Sequence, residues 1–125
     1  MSKSSQNPLI SVQRIAAVSG LLAVALGAFG AHGLRDILIA NSTAQTWTTA
    51  ATYHLVHSVV LLFVSQLKPV PRIAAWCFVL GIVLFSGTLY VLAVSNLKWL
   101  GAVAPAGGFC LLAGWLALAF KADAE

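Results

Sequence analysis

Tyr53, His54 and His57 stand three and four residues apart, the spacing that gathers side chains on one face of a helix. Imidazoles in that register can carry protons, ligate a metal or activate a hydroxyl. His32, Ser86, Thr88 and Tyr90 add polar groups elsewhere in the chain, and Pro105-Ala106-Gly107-Gly108 adds a helix break. A metal site would need His54, His57 and His32 together. No carboxylate or thiolate lies at their depth to complete or orient it, so no metal or other cofactor is expected. A hydrolase would pair Ser86 with His54, but an acid to orient the imidazole and a nucleophile-elbow motif are both missing. Two chemistries stay open. The histidines either handle protons or a small solute, or they are neutral groups whose hydrogen bonds lock helices together.

The elements that must position these residues follow from where the charges are. Of 125 residues, 60% are hydrophobic and 8% charged, against about 25% charged in an average soluble domain. Residues 15–34, 37–67, 73–97 and 99–120 carry no Asp, Glu, Lys or Arg. Each stretch can hold the roughly 20 apolar residues that cross a bilayer. The fold class expected is therefore an all-α integral membrane protein, with four transmembrane helices in an up-down antiparallel bundle. It forms a single membrane domain over 1–125, with spans near 12–32, 46–67, 73–95 and 99–120. This composition excludes a soluble enzyme, a disordered chain, a nucleic-acid binder and a disulfide-stapled scaffold. The partner it calls for is the lipid bilayer. Ala28-Phe29-Gly30 could mimic a signal-cleavage site, but the apolar run before it is longer than a signal h-region, so a retained span is expected.

Local signals suggest the boundaries. Asn7-Pro8 offers an N-cap and a first-turn proline for a helix that runs to His32, and Gly33 suits a left-handed residue that ends it. Ser42-Thr43-Ala44-Gln45 fits a capping box, placing the second span's start near Thr43. Thr46, Thr48, Thr49 and Thr52 can enter the bilayer by bonding back to carbonyls one turn earlier. Lys68-Pro69-Val70-Pro71-Arg72 and Ser95-Asn96-Leu97-Lys98 are short connections, so the spans they join are antiparallel. Asp36-Ile37-Leu38-Ile39 is expected along the membrane interface, with Trp47 and Trp99 near the same boundary. Pro105 reads as a kink within the fourth helix.

At about 1.5 Å per residue, His57 and His54 lie ~15 and ~20 Å above Leu67, and Ser86 and Tyr90 lie ~20 and ~26 Å above Ile73. Pro105 lies ~22 Å above Phe120 and His32 ~26 Å above Ile15, which places all of them in the middle and outer half of one bundle. The same rule separates Cys77 from Cys110 by ~9 Å in depth, too far for a disulfide.

Lipid supplies no hydrophobic drive between helices, so small residues must let backbones approach. Ala23, Gly27 and Ala31 recur every four residues, with Gly20 seven before Gly27, and Gly30, Gly107 and Gly108 add further small positions. This face packs inside the bundle, and a homo-oligomer or a membrane-protein partner could use it as well. Lys3, Arg14, Lys68, Arg72 and Lys121 fall on the side of the termini, against Arg35 and Lys98 on the other. Five against two places both termini in the cytoplasm.

Several strings together resemble a known family. Gly27-Ala28-Phe29-Gly30-Ala31-His32-Gly33-Leu34, Trp47 with Tyr53-His54 and His57, Phe85-Ser86-Gly87-Thr88-Leu89-Tyr90, Pro105-Ala106-Gly107-Gly108 and Gly114-Trp115 are similar to the domain of unknown function 423 family. That family includes bacterial inner-membrane proteins and the animal transmembrane protein 256, and the similarity runs from Arg14 to Phe120. Where the family usually has threonine before the fourth-span proline, this chain has Ala104. The resemblance implies a small multi-pass membrane protein and brings no activity with it. The expected function is structural or accessory and not enzymatic, in the cell membrane (the inner membrane in a bacterium). The alternative is a minimal transporter or channel built on the histidines and the Pro-Gly kink.

Overall fold

A computed structural model describes residues 11–124. Among them every regular element is helical, and four segments are long and apolar enough to cross a membrane: Val12–Ala31, Ala44–Gln66, Arg72–Ser95 and Lys98–Lys121. These match the expected spans to within two residues. Neighbouring spans are antiparallel. Gly20, Gly27 and Gly30 face Ser58, Ala51 and Trp47, while Gly81, Gly107 and Gly114 face Leu111, Phe85 and Phe78.

Helix α1 (Val12–Ala31) starts at Ser11, whose hydroxyl accepts from the Arg14 N–H at 3.2 Å. The Asn7-Pro8 start lies outside the described residues. The left-handed role expected of Gly33 is not observed, since no described glycine has a positive φ. Space explains this glycine instead: a Cβ there would strike the Phe29 ring, with Cδ2 at 2.9 Å. Helix α2 (Arg35–Ala40) follows, exposing Ile37 and Ile39 and burying Leu38 against Trp47 and Ala93.

Helix α3 (Ala44–Gln66) starts where expected, but not through a capping box. Ser42 is left-handed at φ 55°, and the Thr43 hydroxyl donates to the Ala93 carbonyl at 2.7 Å. The Asn41 amide donates to the carbonyls of Ala93 and Val94 at 3.0 and 3.1 Å. The physical reason lies in the third span, whose last turn ends with carbonyls that have no intrahelical partner. Thr43 and Asn41 therefore cap a different helix. Among the threonines of α3, Thr48 does bond back, to the Ala44 carbonyl at 3.1 Å.

The third span comprises α4 (Arg72–Gly81), a π-helical turn (Ile82–Gly87) and α5 (Thr88–Ser95), closed by left-handed Asn96. No residue pattern within the third span announces the π turn. In the fourth span, a 3-10 turn (Lys98–Ala102) precedes α6 (Ala104–Ala124). Pro105 thus falls in the first turn of α6 and does not kink a continuous helix. A first-turn residue has no intrahelical use for its N–H, so proline fits there without loss.

α1 packs chiefly along α3, and α3 along the third span, which in turn packs along α6. A core of Ala16, Leu61, Val64, Ala74, Ala75, Phe78, Ile82 and Leu111 fills the end near the termini. Trp47 departs from its expected interfacial place. It is buried, with its indole against Gly30 and its N–H donating to the Leu26 carbonyl at 2.9 Å. Trp99 is exposed, as a boundary indole would be. The cysteines are free and half-buried. Ala31 is exposed and borders an open pocket beside Ala44 and Thr48, so the close row against α3 runs through Gly20, Ala23, Gly27 and Gly30 instead.

Candidate functional site

The two central histidines face different neighbours. On α3, His54 places Nδ1 2.9 Å from the Tyr90 hydroxyl of α5 and Nε2 3.1 Å from the Ser19 hydroxyl of α1. Ser19 Oγ lies 2.6 Å from Ser58 Oγ, and Ser58 donates to the His54 carbonyl at 2.7 Å. That last bond fixes the direction of all the others. A carbonyl only accepts, so the Ser58 proton is committed to it and Ser19 must donate to Ser58. Ser19 then accepts from His54 Nε2–H, and the Tyr90 O–H donates to Nδ1. The result is a one-way chain from Tyr90 through His54, Ser19 and Ser58, joining three helices.

His57 is bound differently. Its Nδ1 lies 2.8 Å from the Tyr53 carbonyl and its Nε2 accepts from the Trp115 indole N–H of α6 at 3.1 Å. An indole only donates and a carbonyl only accepts, so the neutral Nδ1–H tautomer alone satisfies both. The Tyr53 ring stacks on the imidazole at 11° between planes, while Phe78 and Trp115 pack around it at centroid distances of 5.9 and 6.0 Å. Ser86 serves a third bond, donating from the π turn to the Ala50 carbonyl at 2.8 Å. Every buried side-chain nitrogen and oxygen among the described residues has a partner.

The structure thus gathers Tyr53, His54, His57, Ser86 and Tyr90 around the middle of α3. It does not gather the remaining candidates. His32 is exposed at the C-cap of α1, because the chain turns off the helix there, so the three histidines do not converge. Thr88 takes part in neither network, and Pro105 is exposed at the start of α6. Ser19, Ser58 and Trp115 were not among the expected site residues. Ser58 carries a readable signal, standing one turn after His54, and Ser19 stands beside Gly20 on the small-residue face.

One close approach holds this arrangement. A Cβ on Gly107 would run into the backbone of Leu84 and Phe85 in the π turn, with Phe85 Cα at 2.7 Å. A Cβ on Gly108, by contrast, would meet only Phe85 Cδ2, at an ordinary 3.8 Å. The sequence motifs that meet here, Phe85-Ser86-Gly87-Thr88 and Pro105-Ala106-Gly107-Gly108, lie within the region that a family model recognises. The model for "Protein of unknown function (DUF423)" matches residues 26–108. The chain belongs to the DUF423 family. This DUF423 chain is 40% identical over 114 residues to the membrane protein YwdK of Bacillus subtilis, covering 86% of this chain and 92% of that one. It is 38% identical over 114 residues to the membrane protein C1782.12c of Schizosaccharomyces pombe, covering 85% and 96%. A membrane protein of Haemophilus influenzae is 40% identical over 111 residues, covering 85% and 88%. No solved structure matches. With its four apolar helices, the DUF423 chain is a multi-pass membrane protein.

Proposed function

We propose that this chain is a structural or accessory protein of the cell membrane and not an enzyme. It has both termini in the cytoplasm and works by joining a membrane-protein partner or a second copy of itself. The observation that carries this reading is the commitment of all four ring nitrogens of His54 and His57 to bonds within the bundle. Intramembrane ionisable residues that serve transport line a pathway and exchange partners. These instead tie α3 to α1, α5 and α6. The orientation rests on the basic residues at the end of the bundle that holds the termini.

The test is co-purification from native membranes in mild detergent. A stoichiometric protein partner, or a stable homo-oligomer, is the expected result. A lone monomer from every native membrane tried would overturn the accessory reading. A periplasm-activated reporter fused after Glu125 should stay inactive, and activity there would reverse the orientation.

A further inference from the structure

A groove of about 630 Å³ opens on the bundle surface between α1 and the third span. Val18, Leu22 and Leu26 form one wall, Ile82 and Val83 the other, and Leu61 lies on the floor. Ser19, His54, Ser86 and Tyr90 also border it, yet their protons are all directed at one another, at Ser58 or at the Ala50 carbonyl. Beyond Arg14 at its mouth, the groove therefore presents carbon to an occupant and no uncommitted side-chain donor, which suits a hydrocarbon chain better than a polar solute. From Arg14 to Leu26 it runs ~18 Å along α1, close to the ~15 Å of one leaflet in a bilayer core of ~30 Å.

Charge marks one end. Arg14 is exposed at the groove's mouth. Val12 and Ile15 of the same helix pack against the core cluster that holds Ala74 and also receives Val70, so this mouth lies at the end of the bundle that carries Lys68 and Arg72. Lys121 is there too, donating to the Pro69 carbonyl at 3.3 Å. Basic groups at the membrane edge of an interhelical groove attract anionic lipid headgroups.

We propose that the groove between α1 and the third span is a binding site for one anionic phospholipid. Its phosphate pairs with Arg14 and one acyl chain lies between Leu22 and Val83. The site is independent of the accessory role and of which way the chain faces. The test uses protein purified in a neutral detergent and titrated with phosphatidylglycerol or with phosphatidylcholine of the same chains, read by native mass spectrometry. Wild type should favour phosphatidylglycerol by about fivefold or more, the share of one basic residue at a membrane surface. Arg14→Gln should remove that preference and leave weak binding of both lipids. Leu22→Trp, at another exposed position, should reduce the binding of both by filling the groove. Equal binding of the two lipids to wild type, or a preference that survives Arg14→Gln, would overturn the proposal. So would a Leu22→Trp variant that keeps its lipid but loses self-association, since that result gives the groove to a second copy.

Discussion

His54 and His57 are one turn apart on α3, yet each is held by a different kind of partner. Around His54 the partners are hydroxyls of Tyr90, Ser19 and Ser58, groups that both donate and accept. Around His57 they are an indole that only donates and a carbonyl that only accepts. The packing differs in the same sense. On the α1 side, a Cβ added to Gly20 or Gly27 would meet Ser58 or Ala51 at an ordinary 3.9 Å, whereas on the α6 side a Cβ on Gly107 would strike π-turn backbone that cannot swing away. Contact is tightest where Gly107 meets the π turn and where Gly30 meets Trp47, and looser where Gly20 and Gly27 meet the middle of α3. The open groove lies along α1 on its other flank, against the third span.

The largest effect should come from breaking the fixed side. Gly107→Ala forces its methyl into backbone, and we expect a loss of ~3 kcal/mol or failure to accumulate, measured as thermal unfolding in detergent. Gly108→Ala, next to it with only an ordinary contact to Phe85, is the control and should be nearly silent. On the α1 side, Gly30→Ala must push the Trp47 indole off the Leu26 carbonyl, at an expected ~2 kcal/mol. Gly27→Ala should change stability by under ~0.5 kcal/mol, because its Cβ meets only ordinary contact. Equal losses at Gly27 and Gly30 would remove the argument that the row against α3 is tightest under Trp47.

The histidines sharpen the comparison further. His54→Leu strands the Tyr90 hydroxyl and leaves Ser19 only its bond to Ser58, and we expect the upper part of the ~1–3 kcal/mol range for unpaired buried groups. His57→Leu strands chiefly the Trp115 N–H, because the Tyr53 carbonyl keeps its helical bond, so the loss should be smaller. His57→Gln, with a donor and an acceptor, should lose least. Thermal midpoints of the three variants in one detergent check that order. A leucine at His57 that matches wild type in stability while abolishing a native phenotype would favour the transport reading.

The spans could be read from the sequence because bilayer thickness sets their length and charges mark their ends. Arg14, Arg35, Lys68, Arg72, Lys98 and Lys121 were sufficient for that. The gathering of Tyr53, His54, His57, Ser86 and Tyr90 could be read as well, since depth along a straight helix is simple arithmetic. Which partner each residue takes could not. Ser19 and Ser58 look like small spacers until rotation about the helix axis is known, and Trp115 looks like a lipid-facing indole. Trp47 misled for the opposite reason: its place beneath α1 depends on Gly30 being without a side chain. The π turn lies against Gly107 across the helix pair, a tertiary contact that periodicity within one span does not carry. Pro105 was misplaced because the 3-10 turn of Lys98–Ala102 uses up the residues that a continuous helix would have put before it.

The central claim is that the intramembrane histidines bind helices to one another, and a double-mutant cycle tests it most directly. Trp115→Phe keeps an aromatic ring against Phe78 and removes only the N–H that reaches His57 Nε2. Thermal stability in detergent is measured for wild type, Trp115→Phe, His57→Leu and the double variant. The account predicts a coupling of ~1 kcal/mol, within the range for residues in direct contact, with His57→Leu costing less once the indole N–H is gone. Losses that simply add would contradict it.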